Sequence, residues 1–400
     1  MAMFYAHGSS LLTLSQIAAG ATQNAPAAMQ PMRRTPAPLM APIFRMAAPA
    51  LSVITPTPRA AAIAAPAIAA LVTPIVTPPA GTLVPFQDVG LYKPLMIMIH
   101  EIWTGKYPAS AWLFSPAQSM MVTSAMKGIL QTSAAPRALN FLSDKLPSPQ
   151  NRINTVQAPQ LGSPLVCYIP AVTTNFYSLT IEMGFNTFNQ DLFTNISSLL
   201  SQAGNVPLFM PYSPYILAAG TLAKLAGDLG KLLFNAGTVL SHSEPLTFGL
   251  GGNQNLAAGY YFIVPDTVDG ATLSSQFQAS PNGQVLDKNG SFYTGDIPYI
   301  VISIDGAAQD DSYKTFAPLA TTAAQLSTFF NIGDNSSLVV NDAVQGAQLA
   351  NDLVYRHKAN TIQKQISALP PNSTQLADLQ TQLAAYVANI QSLEMKPPAA

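Results

Sequence analysis

The chain has 400 residues, of which 48% are hydrophobic and only 9% charged, with a net charge of −1. An average soluble domain carries about 25% charged residues, so the surface here is built from Ala, Thr, Ser, Asn, Gln and Pro and sets up little repulsion between copies. No basic field exists to hold a phosphate backbone, which argues against a nucleic-acid partner.

Residues 1–85 contain thirteen of the 34 prolines, long Ala runs and no Asp or Glu. Proline at this density opposes regular helix and sheet, so the composition predicts an extended arm or linker, a disordered N-terminus. Arg33, Arg34, Arg45 and Arg59 are its only charges. An acid-free, Arg-containing start is also the composition of an organelle transit peptide. No basic region precedes Leu11-Leu12, so a secretory signal is not expected. The uncharged stretch 60–76 is Ala-rich and broken by Pro66 and Pro74, which disfavours a membrane span. The expectation is a soluble protein whose compartment stays open.

The folded part is expected to begin near Phe86 and to run to residue 306. Residues 94–99 are continuously apolar, as in a strand buried on both faces. Strands are also expected at 111–115, 118–123, 163–169 and 177–183. In the last, Tyr177, Leu179, Ile181 and Met183 alternate with Ser178, Thr180 and Glu182. Residues 136–146 read as a short helix ended by Pro147-Ser148-Pro149. A helical insertion is expected at about 190–237, with Asp191 as a cap and a second, amphipathic helix at 215–236.

The densest strand signals lie between Pro245 and Gly306. Leu246, Phe248 and Leu250 alternate with Thr247 and Gly249. Tyr260-Tyr261-Phe262-Ile263-Val264 is a run of aromatic and β-branched residues stopped by Pro265-Asp266. Asp287-Lys288-Asn289-Gly290 reads as a hairpin turn. Ile300, Ile302 and Ile304 share one face of a final strand.

Residues 307–400 read as helical. Helices are expected at 316–330 and 341–369, with Pro370-Pro371-Asn372-Ser373 as a turn into a last helix. There Leu376, Leu379, Leu383, Tyr386, Ile390 and Leu393 are spaced 3, 4, 3, 4, 3, the seam of a coiled coil. A short loop makes the two helices an antiparallel αα-hairpin, packed on itself or on a partner.

Chemistry-bearing residues are few. His100-Glu101 closes the apolar strand at 94–99, and Ser241-His242-Ser243-Glu244 has the composition of a polar turn. His100, Glu101 and His242 are thus the catalytic candidates, each weighed against a satisfied structural side chain. Position 104 is Thr, so no zincin motif follows His100, and no G-x-S-x-G elbow supplies a nucleophile. Asp287 and Asn289 resemble the start of a calcium loop, but positions 5, 6 and 12 are Ser291, Phe292 and Pro298. The lone Cys167 lies in an apolar run and reads as a buried hydrophobe. No pattern calls for a cofactor or nucleotide.

The fold class expected is mainly β (α+β): an antiparallel β-sandwich with a helical insertion and a C-terminal helical hairpin. The function expected is a non-enzymatic structural or interaction protein. Its partner is another copy or another protein, met through the arm and the Leu376, Leu379, Leu383, Tyr386, Ile390 and Leu393 seam. The alternatives are a membrane-active protein deploying the 215–236 helix and a hydrolase with a His/carboxylate site.

Overall fold

The structure is a computed structural model. It describes residues 2–7, 10–13, 32–34, 83–107, 118–128, 137–146, 149–154, 164–186, 238–249, 256–265, 267–268, 270–280, 283–309, 337–370 and 372–397. The chain divides into two units, residues 34–84 and the remainder; the remainder is described here. The insertion expected at 190–237, the strand at 111–115 and the helix at 316–330 lie outside the described residues.

In chain order the strands are β1 (Ala2–His7), β2 (Ser10–Thr13), β3 (Met32–Arg34), β4 (Leu83–Pro85), β5 (Leu95–Trp103), β6 (Gln118–Gly128), β7 (Arg137–Leu146), β8 (Arg152–Asn154), β9 (Leu165–Ile169), β10 (Phe176–Asn186), β11 (Thr238–Thr247), β12 (Gly259–Val264), β13 (Gln278–Ala279), β14 (Val285–Leu286) and β15 (Tyr299–Asp305). The helices are α1 (Gly270–Gln276), α2 (Ser337–Ala368) and α3 (Leu376–Ala388). The protein is therefore mainly β, with antiparallel sheets and two C-terminal helices.

The aromatic and β-branched runs form the middle of a seven-stranded sheet. Its order is β2-β1-β12-β15-β5-β8, with β9 also paired to β5. Tyr261 stands opposite Ile302, and Ile302 opposite Ile99. A four-stranded antiparallel sheet has the order β11-β10-β6-β7. One face of each sheet feeds a common core: Ile97, Ile99, Tyr261, Ile263, Ile300, Ile302 and Ile304 from the first, and Met120, Val122, Leu179, Ile181, Met183, Leu240 and Leu246 from the second. This is the single large apolar interior that strand alternation implies.

The large sheet is covered on its other face as well. Phe4, Trp103, Tyr260, Phe262, Tyr299 and Val301 pack there under Leu273 and Phe277 of the α1 region and Val285 of the β13–β14 pair. Burial on both faces explains why β12 has no polar alternation and β15 none before Ser303. The Asp287 turn forms as expected: its carboxylate accepts the N–H of Asn289 at 2.8 Å and of Ser291 at 2.9 Å.

Three expectations change. The first residues of the supposed arm are strands: β1 lies inside the large sheet between β12 and β2, with Met3, Phe4, Tyr5 and Ala6 buried. Four apolar residues beside a strand edge gain more by burial than the Pro-rich composition that follows them suggests. Residues 137–146 are a strand and not a helix. Their apolar residues recur at helical spacing, but β6 supplies a ladder from Ser124↔Ala138 to Gln118↔Leu146, and tertiary pairing overrides local propensity. Residues 241–244 are not a turn; they lie inside β11, paired with β10 from Glu182↔Ser241 to Leu179↔Glu244.

Helices α2 and α3 form the expected C-terminal pair, although the expected seam outlasts its helix. Helix α3 ends at Ala388, so Ile390 and Leu393 fall beyond it. The reason is local competition. The Asn389 side chain donates to the Ala385 carbonyl at 2.9 Å and to the Ala171 carbonyl at 2.9 Å. The buried Asp352 carboxylate of α2 accepts the N–H groups of Gln391 at 2.8 Å and Ser392 at 2.9 Å. Both interactions take backbone groups that further helical turns would need.

Candidate functional site

The polar groups that could carry chemistry gather on the outer face of the large sheet. A bulge in β5 puts them there. Val301 is opposite Glu101 and Ile302 opposite Ile99, which leaves His100 as the extra residue. In a regular strand His100 and Glu101 would point to opposite faces; a bulge lets successive residues share one. His100 accordingly meets Ser303 and Tyr260, and Glu101 meets Tyr299, on the same side of the sheet.

His100 Nε2 lies 2.7 Å from Ser303 Oγ. Its ring makes an edge contact with Tyr260 at 5.4 Å, and Tyr260 is met in turn by Phe86 at 5.0 Å. Burial among these rings pushes the imidazole down to about 4. The distance suits a base and a hydroxyl nucleophile. The chemistry does not. A base this weak is poorly matched to neutral pH. Ser303 sits mid-strand, buried, with neighbours on both sides that occupy the backbone donors an oxyanion would need.

Glu101 belongs to a separate group. Arg152 Nη1 pairs with Glu101 Oε1 and donates to Tyr299 OH at 2.9 Å, while Nη2 donates to the Tyr293 carbonyl at 2.7 Å. Tyr299 OH donates to Glu101 Oε1 at 2.6 Å. The guanidinium lies 5.2 Å from the Trp103 ring and 4.7 Å from the Phe292 ring. Burial first, then the Glu101 carboxylate, hold the Tyr299 hydroxyl protonated. Both terminal nitrogens of Arg152, Glu101 Oε1 and the Tyr299 hydroxyl are thus used within the cluster. It ties β5, β8 and β15 to the loop after the Asp287 turn.

His242 and Glu244 lie on one face of β11, with His242 Nε2 3.2 Å from Glu244 Oε2. The approach is not aligned as a hydrogen bond, and neither ring nitrogen has a hydrogen-bond partner among the described residues. His242 stands opposite Ile181, so its ring is on the core side of the four-stranded sheet and is nearly inaccessible. His100 and His242 thus belong to different sheets, and no contact joins them among the described residues.

Asp287 spends its carboxylate on its own turn. No group of three or more His, Cys, Asp or Glu that could hold a metal is gathered among the described residues. Cys167 is buried, its thiol pushed up to about 12 chiefly by desolvation, which leaves almost no thiolate.

The seam residues behave unequally. Leu376, Leu379, Leu383 and Tyr386 are half-buried, and Ile390 is fully buried. Tyr386 meets Tyr355 of α2 at 6.3 Å, under the Lys358 ammonium. Thus Tyr386 faces the partner helix of its own chain. Leu393 is 78% exposed instead. On α2, Leu349 and Leu353 are exposed as well, at 49% and 51%. Spacing alone could not separate inner from outer leucines, because α2 carries apolar residues around more than one face.

No protein-family model matches this chain, and no curated protein sequence matches it.

Proposed function

We propose that this chain is a non-enzymatic structural protein that associates with further copies of itself through its C-terminal helix pair. The observation that carries the reading is the exposure of three leucines on α2 and on the segment held against it. Leu349 and Leu353 are one helical turn apart on α2. Asp352 and Arg356 flank them; Asp352 holds the N–H groups of Gln391 and Ser392, and Arg356 Nη1 donates to Met395 Sδ at 3.3 Å. Those bonds hold residues 391–395 against α2 between Asp352 and Arg356, and Leu393 lies in that stretch. Three large apolar side chains, each about half exposed or more, are thus carried on α2 and on the segment held against it.

A second copy is the occupant that fits. The chain as a whole is poor in charge, and a net charge of −1 sets up almost no repulsion between copies. Helix α2 has 32 residues, about 48 Å at ~1.5 Å per residue. That length is enough to contribute a face of the ~800 Å² per partner typical of stable association. The isologous pairing of two such faces closes a dimer.

Light scattering behind size exclusion tests this on the full chain and on the Leu349→Ser/Leu353→Ser/Leu393→Ser variant. All three positions are exposed, so the fold should survive, as circular dichroism would show. An oligomer in the parent and a smaller species in the variant are expected. A monomeric parent, or an oligomer indifferent to the three serines, overturns the reading.

A further inference from the structure

We infer that the N-terminal hairpin of β1 and β2 is exchanged between copies, so that each copy's β12 pairs with the β1 of a neighbour. This rests on the self-association proposed above and makes the associated copies intertwined.

Strand β1 is an interior strand by every structural measure. It pairs with β12 from Ala2↔Val264 to Tyr5↔Tyr261, and with β2 from Phe4↔Thr13 to His7↔Ser10. Met3 and Tyr5 enter the core shared by the two sheets, while Phe4 and Ala6 enter the outer one. Tyr5 OH donates to the Ala258 carbonyl at 3.2 Å, and its ring lies 5.2 Å from that of Tyr261. Without β1, β12 would be an edge of six residues, all of them buried in the intact sheet. An apolar strand edge of that kind is a template for a strand from another chain.

The covalent connection is what makes exchange available. Residues 14–31 separate β2 from β3, which pairs with β4; those 18 residues include two prolines. At about 3.3 Å per residue such a length reaches on the order of 60 Å when extended. The pairing is the same whether β1 comes from its own chain or from a neighbour, so the balance is set by closure. Closing a long loop costs entropy that grows with its length. Once α2 faces hold two copies together, the neighbour's edge is present at high effective concentration, and exchange adds no new contact.

The test is a disulfide across the ladder. Two variants are made in the full chain, Ala2→Cys/Val264→Cys and Met3→Cys/Ile263→Cys. They join directly opposed pairs on the two faces of the sheet, so one serves if the other fails to fold. Cys167 is buried with its thiol held protonated and does not compete. Assembled protein is oxidised and run on a non-reducing gel. Covalent species of two or more chain masses, returned to one by reductant, are expected. One chain mass carrying an internal disulfide between the two substituted positions overturns the exchange. If the protein is nevertheless oligomeric by light scattering, self-association stands without exchange; if it is monomeric, both readings fall.

Discussion

Strands β12 and β15 of the large sheet and the edge strand β11 of the four-stranded sheet solve the same burial problem in different ways. Strands β12 and β15 are buried on both faces, core on one side and the α1 and β13–β14 cover on the other. They can carry aromatic and branched residues at every position. In the four-stranded sheet, β11 alternates: Leu240, His242 and Leu246 are buried, while Ser243 and Pro245 are exposed. The difference shows what a continuous apolar run means in this chain. It marks a strand with packing on two sides, whereas alternation marks one whose second face is built from Ser, Thr and Pro. It also explains the polar side chains. On the doubly covered sheet they must be paired, as Glu101, Arg152, His100 and Ser303 are.

The sharpest test of this contrast compares one outer-face residue from each sheet. Phe262→Ala removes a buried ring from beneath the cover and should cost about 3–5 kcal/mol. Thr180→Ala removes a hydroxyl whose partner, Ser243 Oγ at 3.3 Å, is exposed, and should stay within ~0.5 kcal/mol. Urea midpoints at constant slope measure both. Similar costs would mean that the cover is not part of the stabilising core.

A pair of glycines probes the cover at smaller amplitude. Gly283 has φ +73° and a Cβ added there would lie 2.5 Å from Tyr260 ring carbons; Gly290 has φ +78° and nothing within 4 Å. Both substitutions to Ala carry the left-handed backbone cost of about 1–2 kcal/mol. Only Gly283→Ala must also displace the Tyr260 ring, which adds about 1–3 kcal/mol of overpacking. Equal destabilisation by the two, measured by thermal melts, would show that the hairpin is free to lift from the sheet.

The same contrast decides what could be read from residues alone. Strands β12 and β15, the alternation in β10, the Asp287 turn and the Pro370 turn between helices were all legible, because each rests on local pattern and turn chemistry. Strand β1 was not, since its four apolar residues are followed by a long Pro- and Ala-rich stretch whose composition dominates any window. Strand β7 carries helix-like spacing and is a strand only because β6 is beside it. At the candidate site, His100 and Glu101 stood out as residues, but their sharing of a face depends on the bulge opposite Val301 and Ile302. A bulge is a property of pairing between strands some 200 positions apart. The exposed leucines were half legible: Leu393 was singled out, but its position beyond α3, in a segment held against α2, depends on the bonds to Asp352.

His100 gives the finest test of the doubly covered face, through pH. Its folded-state pKa is lowered to about 4 from an ordinary value near 6.5, because burial penalises the imidazolium. Between those values the unfolded chain binds the proton and the folded chain does not. Stability is therefore full above about pH 6.5 and falls as pH drops toward 4, by at most ~1.4 kcal/mol per pH unit. The ring keeps some accessibility, so the slope should lie below that ceiling. His100→Gln retains a polar partner for Ser303 and cannot titrate. Urea midpoints at pH 7.5, 5.5 and 4.5 should fall more steeply in the parent than in the variant, the carboxylates common to both cancelling in the difference. Parallel curves would mean that His100 takes up its proton in the folded state as readily as in the unfolded one. The outer face of the large sheet would then be wet at this point, and the bulge would mark an opening in the cover.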